Sequence, residues 1–328
     1  MTTRKKSSDR RLLLTTLLAL VGFANAALAT AQADRPTEWQ SPLHQGHPLV
    51  GKIWLSARMQ FIERDELQSL LQQHPVLLLG EKHDNPDHHR LRLWLLDSLL
   101  SPSERSLMVL EMLQRGQQPQ IDALADGGMD PDTPGLADRL AWDEDGWPWQ
   151  FYGPAVTLAL QRGASLAAGN IDNSDVMAIY RGTGAATTAR LEAPQLAQLA
   201  RDIDSSHCGM LPAEQFPAMV RVQQARDQHM ADALMSGADM FERRILLAGN
   251  YHVRHDLGVP NYLTHDNDLD EQTTPPLSVA FLEVDPALED PMVYLQQFSE
   301  TAAYDVIWFT PALRQDDYCA DMRAAQAP

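Results

Sequence analysis

The chain runs to 328 residues, 44% of them hydrophobic and 21% charged, with a formal net charge of −18. That balance supplies one large or two modest hydrophobic cores and excludes a chain held unfolded by its composition. The acidic surplus repels phosphate backbones and anionic lipid, which sets aside nucleic-acid binding and electrostatic membrane docking.

The first residues read as an export signal. Arg4, Lys5, Lys6, Arg10 and Arg11 form a basic start, residues 12–23 are an apolar run, and Ala24-Asn25-Ala26 and Ala31-Gln32-Ala33 offer two cleavage tripeptides. The run falls short of the roughly 20 apolar residues that span a bilayer. Residues 1–33 therefore read as a signal peptide and 34–328 as the mature protein, exported to the periplasm or cell surface. Losing five basic side chains and one acid, Asp9, takes the formal charge from −18 to −22. Neither cysteine, Cys208 or Cys319, lies near the processing region, so the acylated cysteine of a bacterial lipoprotein is not expected. An oxidising compartment lets these two pair, the alternative being two buried thiols.

Residues 34–60 are rich in Pro, His and Gly and read as a loosely packed lead into the core. Pro75-Val76-Leu77-Leu78-Leu79-Gly80 is a continuous apolar run closed by Gly, as expected of a strand buried on both faces. It ends in Glu81-Lys82-His83-Asp84-Asn85. Asn85 then Pro86 is an N-cap followed by a first-turn proline, and Leu91, Leu95, Leu96 and Leu99 recur at helical spacing, which predicts a helix over 86–100. A second buried strand over 106–110 ends on Glu111-Met112. Strand, polar corner, helix, strand is the βαβ unit of a parallel sheet. It predicts Glu81, His83 and Glu111 at the carboxyl ends of neighbouring strands, where open α/β sheets bind ligands.

Residues 117–145 read as short helices and loops. Trp142, Trp147, Trp149, Phe151 and Tyr152 then crowd together, with a helix predicted over 152–162 and a third strand over 164–171. Residues 174–240 read as a helical insertion. Within it a loop at 205–212 holds His207 and Cys208, and a helix over 212–235 turns Gln223 and Asp227 onto its apolar stripe. Residues 244–249 form another buried strand ending in Asn250-Tyr251-His252, and 277–284 and 304–309 complete the set. With no short repeat and no linker between complete cores, the reading is an α/β fold: a mostly parallel sheet flanked by helices, with a helical subdomain.

Two segments share one logic. In Gly80-Glu81-Lys82-His83 and Gly249-Asn250-Tyr251-His252 a buried strand closes on a Gly that allows a sharp turn, and an imidazole stands three residues on. With Glu81 and Glu111 they give two carboxylates and two imidazoles at strand ends, an inventory suited to a divalent transition metal or to acid/base work. Alternatively each His caps a strand or helix end; for all four groups that is disfavoured, because burying two acids with nothing to bind is costly. His88 and His89 read as a solvated first helical turn rather than further ligands, and His255 as a surface residue. The aromatic group is ordinary core or the wall of a pocket for a flat apolar ligand. Asp227 needs a partner, either Arg226 or whatever fills the cleft.

The run Leu79-Gly80-Glu81-Lys82-His83-Asp84-Asn85-Pro86-Asp87-His88-His89, followed by Leu110-Glu111-Met112 and Gly146-Trp147-Pro148-Trp149, resembles the ChaN-type haem-binding family of iron-regulated bacterial proteins. So do Gln224-Ala225-Arg226-Asp227-Gln228-His229-Met230-Ala231, Ala248-Gly249-Asn250-Tyr251-His252-Val253-Arg254, Gly258-Val259-Pro260 and Trp308-Phe309-Thr310-Pro311. The resemblance implies haem b held non-covalently during iron and haem uptake, in a pocket that a second copy can complete, with an outer-membrane haem receptor as a transfer partner. It also implies a tyrosine ligand to ferric iron. Tyr152, Tyr251 and Tyr262 lie in or beside matching segments and are the candidates, with Trp147 and Trp149 as further cofactor contacts. Through its paired Gly-x-x-His segments the chain is also similar to a wider Tiki and erythromycin-esterase-like superfamily. That likeness implies a metal-dependent hydrolase as the alternative, with Glu81, His83, Glu111 and His252 as its metal-binding or catalytic residues.

Overall fold

The computed structural model describes residues 1–2, 38–126, 134–184, 190–263, 274–295, 301–314 and 319. The expected export signal, beyond its first two residues, lies outside them. Among the described residues no helix is long and apolar enough to cross a membrane.

In chain order the chain forms β1 (Ile53–Leu55), β2 (Gln60–Ile62), α1 (Arg64–Gln73), β3 (Val76–Glu81), α2 (Pro86–Leu99), β4 (Ser106–Gln114) and α3 (Gln118–Asp126). Then come α4 (Leu136–Arg139), α5 (Trp149–Gln161), β5 (Ser165–Asn170), α6 (Asn173–Tyr180), α7 (Ala193–Ser206), α8 (Phe216–Met235) and β6 (Arg243–Gly249). Last are α9 (Pro260–Leu263), β7 (Leu277–Glu283), α10 (Pro291–Tyr294) and β8 (Val306–Thr310).

The strands make one sheet in the order β2-β1-β8-β7-β3-β6-β4-β5. From β8 to β5 every pairing is parallel; β1 runs antiparallel to both β2 and β8. The predicted α/β sheet is therefore present, with one correction. β3 and β4 are not neighbours, because the crossover through α2 leaves a slot between them that β6 fills. The three strand ends that matter for function lie side by side only because a strand from far along the chain is inserted.

Alternation along the buried strands feeds two cores. Leu77 and Leu79 face one side with Leu67, Leu71, Leu95, Leu96 and Val156 from α1, α2 and α5. Val76 and Leu78 face the other, against Met230 and Leu234 of α8, Tyr262 of α9 and Tyr294 of α10. This double burial is why the β3 sequence is apolar without interruption. The Asn85 side chain accepts from the Asp87 and His88 amides, so α2 starts as predicted.

The lead segment departs from expectation. Leu49, Ile53, Trp54 and Leu55 are buried, and the Gln40 and Ser41 amides donate to Asp87. Its Pro, His and Gly content hid a three-residue strand too short to show a period. The interval 174–240 is helical, carrying α6, α7 and α8. Just beyond α7, Cys208 is bridged to Cys319. Closing a loop with a sequence separation of 111 removes chain entropy from the unfolded state, about 4–5 kcal/mol on the chain-entropy account. Replacing Cys208 by Ser should lower the urea midpoint by the matching amount, and wild type plus reductant should behave like the variant. An unchanged midpoint in both would show that the bridge constrains nothing.

Candidate functional site

The two Gly-x-x-His corners meet, and their glycines are the reason. Neither Gly80 nor Gly249 has a positive φ, so the sharp turn expected of them is not their role. A Cβ on Gly80 would lie 2.5 Å from Val253 Cγ2 and 3.1 Å from Asn250 Cα; one on Gly249 would lie 2.9 Å from His83 Nε2. Each glycine makes room for the opposite corner.

Glu81 ends β3 fully buried and is surrounded by donors. Arg92 of α2 forms a buried ion pair with its Oε2. Tyr152 of α5 donates its hydroxyl to Oε1 at 2.9 Å, and His83 Nδ1 lies 3.1 Å from the same oxygen. Burial alone would raise the Glu81 pKa, but the Arg92 charge, with His89 and His83 beside it, holds the carboxyl well below the usual range. His83 is 43% exposed. Burial lowers its pKa; the Glu81 hydrogen bond and the Glu111 and Glu81 charges outweigh that and raise it.

Glu111 lies just past Leu110, where β4 stops pairing with β6, and its Oε2 accepts the Gly249 amide at 2.7 Å. Its Oε1 is 3.3 Å from His252 Nε2. On the other side of the ring, Asp227 Oδ1 of α8 is 2.5 Å from His252 Nδ1, with the Gln223 carboxamide at 3.1 Å. His252 is thus buried between two carboxylates. Burial would lower its pKa, yet the Glu111 and Asp227 charges push it up to about 10. Glu111 is lowered to about 2, against burial, by the His252 charge; Asp227 is raised, mainly by burial. At neutral pH His252 is an imidazolium whose nitrogens both face carboxylates.

These corners line a cleft of about 540 Å³. Glu81, His83, Gly249, Tyr251 and His252 form its polar side; Leu282, Leu288, Val293 and Tyr294, from β7 to α10, form its apolar side. Of the three candidate tyrosines only Tyr251 lines it, its hydroxyl donating to Asp202 of α7 at 2.9 Å. Tyr152 is turned inward to Glu81, and Tyr262 is buried on the other face of the sheet with α8. Trp147 stands edge-on to His83 at 4.9 Å, whereas Trp149 packs on Trp142 at 4.9 Å, away from the cleft.

The structure corrects the reading of the neighbouring histidines. His88 is fully buried, accepting the Lys82 amide and 2.8 Å from Thr310 Oγ1; burial lowers its pKa to about 3. His89, also buried, stacks on Phe151 at 4.6 Å and is held neutral, its pKa lowered to about 4 chiefly by burial. Neither is a solvated first-turn residue. His255 is half-buried, 2.6 Å from Asp305. Asp227 takes its partner from His252 rather than Arg226.

Among the described residues no group of three or more His, Cys, Asp or Glu is arranged to hold a metal ion. The physical reason is visible in the pairing. Arg92 occupies the Glu81 carboxylate, and both His252 nitrogens are taken up by Glu111 and Asp227. Sequence reasoning passed over Arg92, although His88, Arg92, Leu95 and Leu99 share one helical stripe, a signal for a buried charge. The apolar wall of the cleft carried no motif to find.

The family model described as haem-binding uptake, Tiki superfamily, ChaN matches residues 67–263. Among solved structures the chain is similar to ChaN of Campylobacter jejuni, described as binding haem cofacially: 23% identity, 78% of this chain and 95% of that one, TM-score 0.63. That likeness supports the fold. An erythromycin esterase aligns at 14% identity over 78% of this chain and 95% of that one, with TM-score 0.41. The RRSP toxin effector domain of Vibrio vulnificus aligns at 16% identity over 66% and 36%, with TM-score 0.38. No curated protein matches the sequence.

The sandwiching of His252 has a measurable sign. A folded-state pKa of about 10 means that its pairing stabilises fully below the unfolded-state value and is lost as pH rises toward that figure. Glu111, lowered to about 2, contributes above its unfolded value and loses the contribution as pH falls. His252→Gln should therefore cost about 3 kcal/mol at about pH 6, by leaving two buried carboxylates without their cation. The difference from wild type in urea unfolding should shrink by about pH 9. A cost independent of pH would show that His252 is neutral in the folded protein.

Proposed function

This chain belongs to the haem-binding uptake family of the Tiki superfamily, and from that premise we propose that it is an exported protein that takes up haem as cargo, held non-covalently against Tyr251 in the cleft. The observation that carries the site is the placement of Tyr251: alone of the candidate tyrosines it lies where a ligand can reach. Burial and the Asp202 carboxylate raise its pKa, so the phenol stays protonated until a cation replaces the proton. Tyr294 also lines the cleft, but its hydroxyl is bound to backbone groups of Asp285 and Leu288.

The residues present fit such a cargo. A volume of about 540 Å³ is in the range of small-molecule sites, and the apolar wall of Leu282, Leu288 and Val293 suits the face of a macrocycle. Lys82, near the rim, is the cation for a carboxylate of the cargo, although it already pairs with Glu283 at 3.0 Å. Met292 and Val293 stand 38% and 50% exposed at the lip, which supports a second copy closing over the open side. An outer-membrane haem receptor is the partner proposed for transfer. Hemin added to the purified mature chain should give a Soret band that Tyr251→Phe removes and Tyr152→Phe and Tyr262→Phe retain. A band that survives Tyr251→Phe would move the ligand elsewhere; no band with wild type would end the haem reading.

One observation favours a second reading, hydrolysis. His83 is oriented by a buried carboxylate and open to the cleft. That is the arrangement of a general base. In this form no metal is required, and the bound divalent ion expected from sequence is not part of the proposal. Loss of ester or amide cleavage in His83→Ala, with hemin binding intact, would separate this activity from haem holding. Wild type inert across a broad ester and amide panel would remove it.

A further inference from the structure

A second groove, of about 550 Å³, runs along the free edge of the sheet, away from the cleft. Its floor is the edge of β5, residues 165–168, and its walls are α3 on one side and α8 on the other. Among the described residues β5 is the last strand in the sheet and pairs with β4 alone.

The strand itself carries no blunting residue, although a side chain of α3 caps one of its peptide groups. Its sequence, Ser165-Leu166-Ala167-Ala168-Gly169-Asn170, contains no charge and no proline, the devices that commonly keep edge strands from pairing. Along a parallel strand alternate residues turn both peptide groups to the same side. Ala168 turns outward, since its amide donates to Gln118 Oε1 at 2.9 Å; Leu166, two residues earlier, therefore does so too. The Gln118 carboxamide stands where the carbonyl of a further strand would stand.

Two more observations point to a ligand. His229, half-buried in the α8 wall, has its ring against the Ala168 backbone, to which it hydrogen-bonds, while its Nε2 lacks a close partner among the described residues. Asp122 on α3 and Asp232 on α8 are exposed acids, one on each wall, each hydrogen-bonded by a neutral glutamine of its own helix. Arg115 at one end already engages Asp175 at 2.5 Å and Asp172 at 3.7 Å. With the Ala168 groups engaged by Gln118 and His229, the groove presents the outward peptide groups of Leu166 on its floor and negative charge on both rims.

We propose that this groove docks an extended basic peptide segment of a partner protein, which adds a strand to β5 and sets lysine or arginine side chains against Asp122 and Asp232. A small apolar molecule would use the floor volume but neither the outward peptide groups nor the paired acids. The overall charge of −18 favours the same sign of partner. The proposal is independent of what the cleft binds.

The test uses the full mature chain and three fluorescein-labelled peptides read by anisotropy: Val-Lys-Lys-Val-Lys-Lys, whose adjacent lysines face opposite walls, its glutamate counterpart, and a version with proline at the valine positions. The lysine peptide should bind, and the other two should not. Asp122→Asn with Asp232→Asn, which keeps the size of both side chains, should weaken binding about fivefold, as expected of two exposed ion pairs. Ala233→Trp, filling the groove, should abolish it with the thermal melt unchanged. No binding of the lysine peptide, equal binding of the proline version, or indifference to both variants would overturn the proposal. So would self-association of the chain through β5 that the lysine peptide cannot displace.

Discussion

The site exists because two chain corners approach more closely than any side chain at Gly80 or Gly249 would allow. Gly80 lies under Asn250 and Val253, and Gly249 lies against the His83 ring. That reciprocal contact is possible only with β6 directly beside β3, in register from Val76 with Arg244 to Glu81 with Gly249. Everything polar in the cleft follows from it. Gly249 gives its amide to Glu111, His252 is carried to Glu111 and Asp227, and Tyr251 is left on the cleft wall.

Charge balance then decides what the buried groups can do. Two carboxylates at strand ends would cost several kcal/mol each if unpaired. The molecule meets this in two separate ways. Glu81 has a permanent cation, Arg92, and so is fixed as an anion that orients Tyr152 and His83. Glu111 has a conditional cation, His252, whose charge depends on Asp227 behind it. The first arrangement turns Tyr152 inward onto Glu81, off the wall of the cleft. The second makes His252 a donor rather than a ligand. What is left facing the cleft with chemistry to spare is His83 and Tyr251.

Much of this was legible in the sequence, for reasons that are local. Apolar runs closed by Gly-x-x-His marked β3 and β6 because strands buried on both faces show no alternation, and Asn85-Pro86 marked the start of α2 because capping chemistry is contained in two residues. Asp227 was placed inward correctly by helical spacing, while its partner was not, since His252 reaches it through the sheet order. The inserted position of β6, the apolar wall from β7 to α10, and the burial of His88 and His89 all depend on contacts between segments far apart in the chain. His88 is instructive: its neighbours Asp84 and Asp87 suggested a solvated turn, but Asp87 is committed to the amides of Gln40 and Ser41, and that lead segment covers the turn. Reading residues 34–60 as loose therefore misplaced the histidines of α2 as well.

The haem and hydrolytic readings make opposite demands on the same cleft. Holding a flat cargo needs the apolar wall and Tyr251 to dominate, with the polar side inert; hydrolysis needs His83 free to move a proton with water admitted. The hydrogen bond between Tyr251 and Asp202 bears on this, because it ties the cleft to the C-terminal part of α7, close to the Cys208 bridge. A helix whose C-terminal end is both followed by a covalent bridge and bonded to the proposed ligand holds Tyr251 in a fixed orientation, which suits capture of a cargo more than repeated turnover. The polar side can persist in such a protein without catalysis, since Glu81 and Glu111 are needed to neutralise Arg92 and His252 once those are buried. On this argument the acid and imidazole groups are retained by the electrostatics of folding, and the phenol and apolar wall are what the cleft contributes to binding.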